Sequence, residues 1–245
     1  MLDPSHPDIR FFREIDSTNS FVIREFDRLP DGAIIAAASQ TAGKGRLGTR
    51  WLSTPGKGIY MTMVMKTVKD PLAATIAFSL AALDAVREAV PGIQAAIKWP
   101  NDIYSGDCKL AGMLAEGKMT NGSLAGVAAG IGVNVAYTRE ELAALGRPAT
   151  SLNLLANREF SPDLLLNSFA FFVLRRYIIL IAGADFFDEW RSENFLIGRD
   201  VVLFTSSGRE CGRAIAIDDS GRLVVRFPDG SIRAVSSADV RIGRL

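Results

Sequence analysis

The sequence predicts an α/β (α+β) domain over residues 1–195, followed by a small β-barrel domain over residues 196–245. Before residue 195, apolar runs of strand length alternate with longer stretches of helical periodicity. After it, short alternating strands are joined by tight turns. Hydrophobic residues are 48% and charged residues 22% of the chain, which is the usage of a globular protein and excludes a disordered or fibrous one.

The first domain is predicted to contain buried strands and three long helices. A helix at residues 17–28 can start from a Ser or Thr cap, and one at residues 72–90 ends before Pro91-Gly92. Ser161-Pro162 opens a third helix with a cap and an N1 proline. Strands are predicted where small and β-branched residues form runs between glycine-rich turns. These runs are residues 33–38, 58–65, 95–99 and 126–133.

The second domain is predicted as a β-barrel of about fifty residues, because its strands are short and its turns tight. Asp219-Ser220-Gly221 and Pro228-Asp229-Gly230 are hairpin turn signals. The predicted strands are residues 201–204, 213–217, 223–227 and 231–235.

Charge and cysteine usage narrow the classes of partner. The net charge is +1, so no overall field would hold nucleic acid or an anionic membrane non-specifically. Cys108 and Cys211 lie far apart and form no CxxC pair, which argues against a zinc site or a disulfide framework. We therefore expect a reducing, cytoplasmic location.

One apolar window, residues 163–182, is about the length of a membrane span. Asp163, Asn167, Arg175 and Arg176 interrupt it, so we interpret it as a core helix and expect no membrane partner. The N-terminal residues carry no basic run followed by an apolar stretch, and no secretory signal is predicted.

A glycine-rich basic loop at residues 40–51 is the most informative segment. Its glycines let the backbone pass close to a ligand, and Lys44, Arg46 and Arg50 supply cations that could hold a carboxylate or a phosphate. A plain mobile turn is the alternative interpretation of such a loop.

Three further segments carry polar groups at strand ends. Residues 98–102, Lys-Trp-Pro-Asn-Asp, place an amide and a carboxylate at a strand exit, where open sheets build ligand sites. A proline turn with an Asx bend would look the same. Lys109 begins the next predicted strand, and a lysine at the start of a strand is more often solvated than catalytic. Residues 130–134 could be merely a strand with close backbone contacts.

Together with Asp16-Ser17-Thr18-Asn19, these segments resemble the biotin protein ligase family, and they follow one another in the family's order as far as Val135. The resemblance implies a catalytic domain of the biotin/lipoate ligase type with a C-terminal SH3-like β-barrel. It implies a two-step reaction. The carboxylate of biotin attacks the α-phosphate of ATP with Mg²⁺, giving biotinyl-5'-AMP and pyrophosphate, and a specific lysine of a biotin carboxyl carrier protein then displaces AMP.

The resemblance also assigns residues to substrates, and it identifies no metal ligand. The implied catalytic residues are Lys109, Arg46 and Asp102. The implied biotin-binding residues are Ser17, Thr18, Asn19, Gln40, Gly43, Lys44, Gly45, Arg46, Lys109 and Gly112. The implied ATP and adenylate residues are Arg46, Trp51, Lys98, Asn101, Asp102 and Asn134, with Trp51 and Asn134 facing the adenine.

Residue chemistry fits these implied roles. Neutral hydrogen-bonding groups suit the uncharged ureido ring of biotin, because an unpaired polar edge would penalise other ligands. Lys109 would neutralise charge that builds on the carboxylate and α-phosphate oxygens. Asp102 would either help place Mg-ATP or accept the proton of the incoming amine, and both roles stay open.

The chain departs from the family at two loop positions. Lys44 stands where the loop commonly has its first arginine, and Thr49 where it has its last. Arg50 is expected to supply part of the missing charge. The sixteen residues before Ser17 are too few for the DNA-binding domain of some members, so no DNA partner is expected.

Two alternative functions are compatible with the sequence. One is a lipoate or octanoate protein ligase, which shares the fold and the acyl-adenylate chemistry. The other is a catalytically inactive biotin-binding module. The sequence leaves open the identity of the carrier and the oligomeric state, a homodimer included.

Overall fold

The computed structural model describes residues 2–205, 208–236 and 239–243. Strands and helices alternate in the first part of the chain, and the described elements after residue 195 are all strands. A short 3-10 turn, Arg46–Gly48, interrupts the glycine-rich loop. In chain order the elements are β1 (Ile9–Phe12), α1 (Thr18–Glu25), β2 (Ile34–Ala37), β3 (Gly58–Met65), α2 (Pro71–Ala89), β4 (Ala95–Lys98), β5 (Asp102–Ser105), β6 (Cys108–Thr120), β7 (Ser123–Asn134), α3 (Arg139–Ala143), α4 (Leu152–Ala156), α5 (Pro162–Ile181), α6 (Phe187–Ser192), β8 (Asp200–Thr205), β9 (Gly208–Ile217), β10 (Leu223–Arg226), β11 (Ile232–Val235) and β12 (Asp239–Ile242).

The strands form two sheets over the described ranges. The larger sheet has the order β1-β2-β3-β7-β6-β5-β4, and the smaller one has the order β11-β10-β9-β8-β12. β1 and β2 are parallel, whereas the other neighbours in both sheets are antiparallel. The predicted α/β (α+β) fold with a C-terminal β domain is therefore confirmed.

Helices cover both faces of the larger sheet. α1 packs on β3 and β7, and α2 and α5 pack together against the sheet. Side chains of β2 alternate between these layers. Ile34 and Ala36 join the core that contains α2, and Ile35 joins Val22 of α1 and Phe26, which follows that helix. Coverage on both faces explains why the strands appear in the sequence as continuous apolar runs.

Helices α1, α2 and α5 begin within one residue of the predicted positions, although α1 ends at Glu25, three residues before the predicted end. The side chain of Ser17 caps α1, accepting a bond from the backbone N–H of Ser20. Pro162 stands at the start of α5. By length and hydropathy alone, α5 could cross a membrane. It packs along α2, and its Tyr177 hydroxyl donates a 2.6 Å hydrogen bond to Asp31.

The two sheets share one hydrophobic core. Trp99, at the end of β4, belongs to the same buried cluster as Val201 and Leu203 of β8 and Leu223 of β10. The start of α2 meets the turn between β9 and β10, where Gly221 approaches Leu72. The C-terminal sheet is thus fixed beside the β4–β5 connection.

Candidate active site

A cleft opens over the centre of the larger sheet, where β6 and β7 lie side by side. It is lined by the start of α1, the glycine-rich loop, the β4–β5 connection, the start of β6 and the middle of β7. Chain segments that are distant in sequence therefore converge on one cavity. The sequence-predicted residues that line it are Ser17, Thr18, Asn19, Gln40, Lys44, Gly45, Arg46, Trp51, Lys98, Asn101, Asp102, Lys109 and Gly112.

Glycines form the floor of the cleft and make room for its functional side chains. In the register of β6 and β7, Gly112 lies opposite Gly132, and Gly130 lies two residues further along β7 on the same face. A Cβ atom at Gly130 would lie 2.0 Å from Oδ1 of Asn19, and one at Gly132 would lie 2.5 Å from the indole of Trp51. The glycine motifs therefore serve close packing in the cleft.

One end of the cleft is built from buried, neutral hydrogen-bonding groups. Oε1 of Gln40 accepts a 2.8 Å bond from the backbone N–H of Thr18, and Nε2 of Gln40 donates to Ser53. Thr62 donates its hydroxyl proton to Oδ1 of Asn19 at 2.6 Å. These bonds hold the side chains in fixed orientations and suit this end to an uncharged polar ligand group.

Asn19 is oriented from its other side by Glu116. Its Nδ2 donates to the Glu116 carboxylate at 2.8 Å and to the carbonyl of Leu114 at 3.0 Å. Because Nδ2 has both its protons engaged, Oδ1 of Asn19 is left to face Thr62 and the cleft. Sequence analysis gave no role to Glu116 or Thr62. The available signal was the position of Glu116 in the strand that carries Lys109, seven residues after it.

The other end of the cleft is rich in cations. Lys109 Nζ lies 2.6 Å from Oδ1 of Asp102, and both side chains are largely buried. This contact is ionic, since Oδ1 of Asp102 has no aligned hydrogen bond among the described residues. Lys109 Nζ also lies 5.2 Å from the ring centroid of Trp51. Lys98 is 5% exposed and lies over the ring of Tyr104.

Arg46 projects from the glycine-rich loop toward the same end. Its Nη1 donates a 3.2 Å hydrogen bond to Oδ1 of Asn101. Burial lowers the pKa of the Arg46 guanidinium, and the nearby Asp102 carboxylate acts in the opposite direction. Lys44 and Arg147 also line the cleft. At this end Arg46, Lys98 and Lys109 outnumber the carboxylate of Asp102, so an anionic ligand group would be stabilised there.

The glycine-rich loop is a narrow hairpin over the cleft. Gly43 and Trp51 are joined by a backbone hydrogen bond of 2.9 Å, and a Cβ atom at Gly43 would lie 2.6 Å from the Trp51 carbonyl oxygen. Gly43 lines the adjoining space beneath the loop. Leu47 at the tip has a φ of 54° and is 67% exposed. The loop thus presents an apolar side chain in a left-handed conformation.

Arg50 lines the adjoining space together with Gly43 and does not line the cleft itself. Its Nη2 donates to the carbonyl of Thr41 at 3.0 Å. Thr49 donates its hydroxyl proton to the carbonyl of Arg46 at 2.7 Å. Thr49 lacks the charge that the family has at its position, and Arg50 is expected to supply part of it. In this structure both side chains bond to the backbone of the loop.

Asn134 lies behind the cleft. Its Nδ2 donates to the carbonyl of Thr150 at 3.0 Å, and the backbone N–H of Thr150 bonds to the carbonyl of Lys109 at 2.9 Å. Asn134 therefore fastens the α3–α4 connection to the strand that carries Lys109. The contact of Asn134 with adenine stays a prediction.

That connection and the C-terminal sheet contribute lining residues that sequence analysis missed. Arg147 comes from the α3–α4 connection and Val240 from β12. The residues Gly146-Arg147-Pro148 are typical of a turn, but nothing in the sequence indicates which part of the protein this turn contacts. Within the described residues, no group of three or more His, Cys, Asp or Glu side chains could hold a metal ion.

Comparisons with known proteins agree with this geometry. Residues 11–134 match the biotin/lipoate A/B protein ligase family, and residues 196–243 match the biotin protein ligase C terminal domain. The biotin--[acetyl-CoA-carboxylase] ligase of Paracoccus denitrificans is 30% identical over 93% of this chain and 98% of its own length. The enzyme of the same name from Mycobacterium tuberculosis is 34% identical over 86% of this chain and 79% of its own length.

A solved structure shares the fold over the whole chain. The biotin protein ligase from Aquifex aeolicus in complex with biotin and ATP superposes with a TM-score of 0.81 at 23% identity, covering 98% of this chain and 100% of that one. The chain therefore belongs to the biotin/lipoate A/B protein ligase family, as one of its biotin protein ligases.

Proposed function

We propose that the protein activates biotin as biotinyl-5'-AMP at the expense of ATP and transfers the biotinyl group to a specific lysine of a biotin carboxyl carrier protein. One observation carries the proposal: a buried, neutral hydrogen-bonding end and a cationic end lie in one cleft. Biotin has a matching shape, with an uncharged ureido ring at one end and a carboxylate at the other.

The neutral end would bind the ureido ring. Thr18, Asn19 and Gln40 have their side chains oriented by internal bonds before any ligand arrives, which lowers the entropic cost of binding. A ligand without ureido N–H and C=O groups would leave the remaining hydrogen-bonding capacity of these groups unused, such as the second amide proton of Gln40 Nε2 and the second lone pair of Asn19 Oδ1. The neutral end therefore suits biotin better than the dithiolane ring of lipoate.

The cationic end would hold the biotin carboxylate and the α-phosphate. In adenylation, a carboxylate oxygen forms a bond to the α-phosphorus, and the bond from that phosphorus to the bridging oxygen breaks, releasing pyrophosphate. Lys109 and Arg46 would stabilise the negative charge on the oxygens of this transition state. In transfer, the carrier amine attacks the carbonyl carbon, and the carbon–oxygen bond to AMP breaks.

Asp102 has a role in each step of this proposal. Its 2.6 Å contact orients Lys109 before substrates bind. In transfer, the same carboxylate is the group suited to accept the proton that the carrier amine loses. Asn101 and Asp102 are also the residues that would supply oxygen atoms to Mg²⁺, which usually takes one or two protein oxygens together with substrate phosphates. Bound Mg²⁺ would neutralise phosphate charge.

The remaining assignments follow from the same chemistry. Trp51 would shield the adenylate, and Lys98 would add positive charge near the phosphate. The carrier partner implied by the family and the cytoplasmic location expected from the cysteine usage are part of the proposal.

Biotin-dependent exchange of pyrophosphate into ATP tests the proposal. We expect exchange with biotin and none with lipoate or octanoate at the same concentration. Isothermal titration with each acid measures binding separately. Exchange with lipoate but not biotin would identify the other branch of the family, and biotin binding without exchange would identify an inactive binding module.

A further inference from the structure

Trp99 joins the larger domain to the C-terminal sheet at the edge of the cleft. Its side chain is 1% exposed, and its Nε1 donates a 2.8 Å hydrogen bond to the carbonyl of Gly221. Gly221 lies in the turn between β9 and β10. The backbone N–H of Trp99 donates to Oδ1 of Asn194 at 3.3 Å. Trp99 is thus held at two points outside the cleft.

The residues that follow Trp99 hold two of the cations in the cleft. Asn101 accepts the 3.2 Å hydrogen bond from Arg46 and donates its own amide proton to the carbonyl of Met113. Asp102 forms the 2.6 Å ion pair with Lys109. A displacement of Trp99 would therefore move the partners of both Arg46 and Lys109.

The acceptor of this hydrogen bond has a fixed position. Gly221 has a φ of 74°, and a Cβ atom there would lie 2.8 Å from Cδ2 of Leu72 at the start of α2. The neighbouring Asp219 forms a 2.8 Å ion pair with Arg191 of α6. The Asp219 side chain is 99% exposed, so this ion pair adds little, and it is the packing of the turn on the start of α2 that presents its carbonyl to Trp99.

We infer that Trp99 is a positioning residue for adenylation, through which the β9–β10 turn sets Arg46 and Lys109 against the nucleotide. This inference rests on the function proposed above. At the neutral end, Thr18, Asn19 and Gln40 bond to other partners. Loss of the Trp99 hydrogen bond should consequently affect use of ATP more than it affects binding of biotin, because most of the groups expected to bind the ureido ring have other supports.

Trp99→Phe keeps an aromatic ring and removes the N–H donor, and the chain offers a matched control. Trp190 is also fully buried, and among the described residues its Nε1 has no hydrogen-bond partner. Biotin-dependent exchange gives kcat and KM for ATP, and titration gives Kd for biotin. We expect kcat/KM for ATP to fall about tenfold in Trp99→Phe, with Kd for biotin changed less than about twofold. Trp190→Phe should leave both values near those of the wild type.

A second variant tests the acceptor of this hydrogen bond, the Gly221 carbonyl oxygen. It replaces Trp99→Phe as the test if that variant does not fold. Gly221→Ala keeps the indole and displaces the carbonyl, because the new Cβ meets Leu72 in a strained backbone conformation. It should lower kcat/KM for ATP in the same direction.

Wild-type kcat/KM for ATP in both Trp99→Phe and Gly221→Ala would overturn the inference. An equal loss in Trp190→Phe, or a matching rise in Kd for biotin, would also overturn it, since ring packing would then explain the effect. A wild-type protein without biotin-dependent exchange would instead contradict the proposed function, so the two failures are distinguishable.

Discussion

Lys44 Nζ lies 3.9 Å from Oε1 of Glu116, and Oε2 of Glu116 accepts the hydrogen bond from Nδ2 of Asn19. One carboxylate therefore contacts both the glycine-rich loop and the neutral end of the cleft. The Lys44 side chain is 47% exposed and the Glu116 side chain 33%. An ion pair this exposed adds little free energy to holding the loop in place. The hydrogen bond to the buried Asn19 stabilises the neutral end more strongly.

Substitutions at Glu116 separate these two contacts. Glu116→Gln keeps an acceptor for Asn19 and removes the charge, so Kd for biotin should change less than about threefold. Glu116→Leu leaves an amide proton of Asn19 unpaired, and Kd should rise about tenfold or more. Isothermal titration measures both. Equal losses in the two variants would show that the charge facing Lys44 is the contact that matters.

Lys109 is expected to act on the transition state more than on bound biotin. Lys109→Ala should lower the rate of pyrophosphate exchange about a hundredfold or more, while biotin still binds. Lys57→Ala is a suitable control, because Lys57 also pairs with a carboxylate, Glu141, away from the cleft. Near-wild-type exchange in Lys109→Ala would remove Lys109 from the mechanism.

Arg50 is expected to act through the loop backbone. Its hydrogen bond to the Thr41 carbonyl braces the base of the hairpin, so Arg50→Ala should loosen the closed loop and speed release of biotinyl-5'-AMP. Kd for free biotin should change little. The dissociation rate of preformed adenylate measures the effect. Retention as long as in the wild type would show that the hairpin closes without this brace.

The sequence predicted the helices and strands that neighbouring residues mark by themselves, through caps or long apolar runs. β3 occupies the predicted residues 58–65, and α2 and α5 begin within one residue of prediction, because caps and long apolar runs mark them. β1 was missed because it is a half-exposed edge strand of four residues. The five-residue helix α3 was missed too, although Thr138 and Glu141 form a capping box that could have indicated it.

The part of the candidate site that sequence motifs form was predictable as a set of segments that come together. The glycine-rich loop, the Lys-Trp-Pro-Asn-Asp segment and Lys109 converge on the cleft. Arg147 and Val240 enter it from the α3–α4 connection and β12, and the sequence holds no sign of that packing. Trp99 was visible as part of a motif, but its bond to Gly221 depends on how the two sheets meet.

The two floor glycines of β7 should affect different substrates. Gly130→Ala places a Cβ 2.0 Å from Oδ1 of Asn19, and Gly132→Ala places one 2.5 Å from the Trp51 indole. Overpacking of this kind costs about 1–3 kcal/mol where neighbours must shift. We therefore expect Gly130→Ala to raise Kd for biotin about tenfold or more. Gly132→Ala should mainly raise KM for ATP, because Trp51 lies beside Lys109 at the cationic end.

Gly117→Ala is the control for these variants, since Gly117 lies on β6 away from the cleft and its Cβ would meet only the side chains of Leu124 and Pro71. Thermal unfolding of each variant separates a loss of fold from a loss of binding. If Gly130→Ala and Gly132→Ala raise Kd for biotin and KM for ATP to the same extent, the cleft behaves as one unit. The division into a neutral end for biotin and a cationic end for the nucleotide would then be wrong, because each glycine contacts a side chain at only one of those ends.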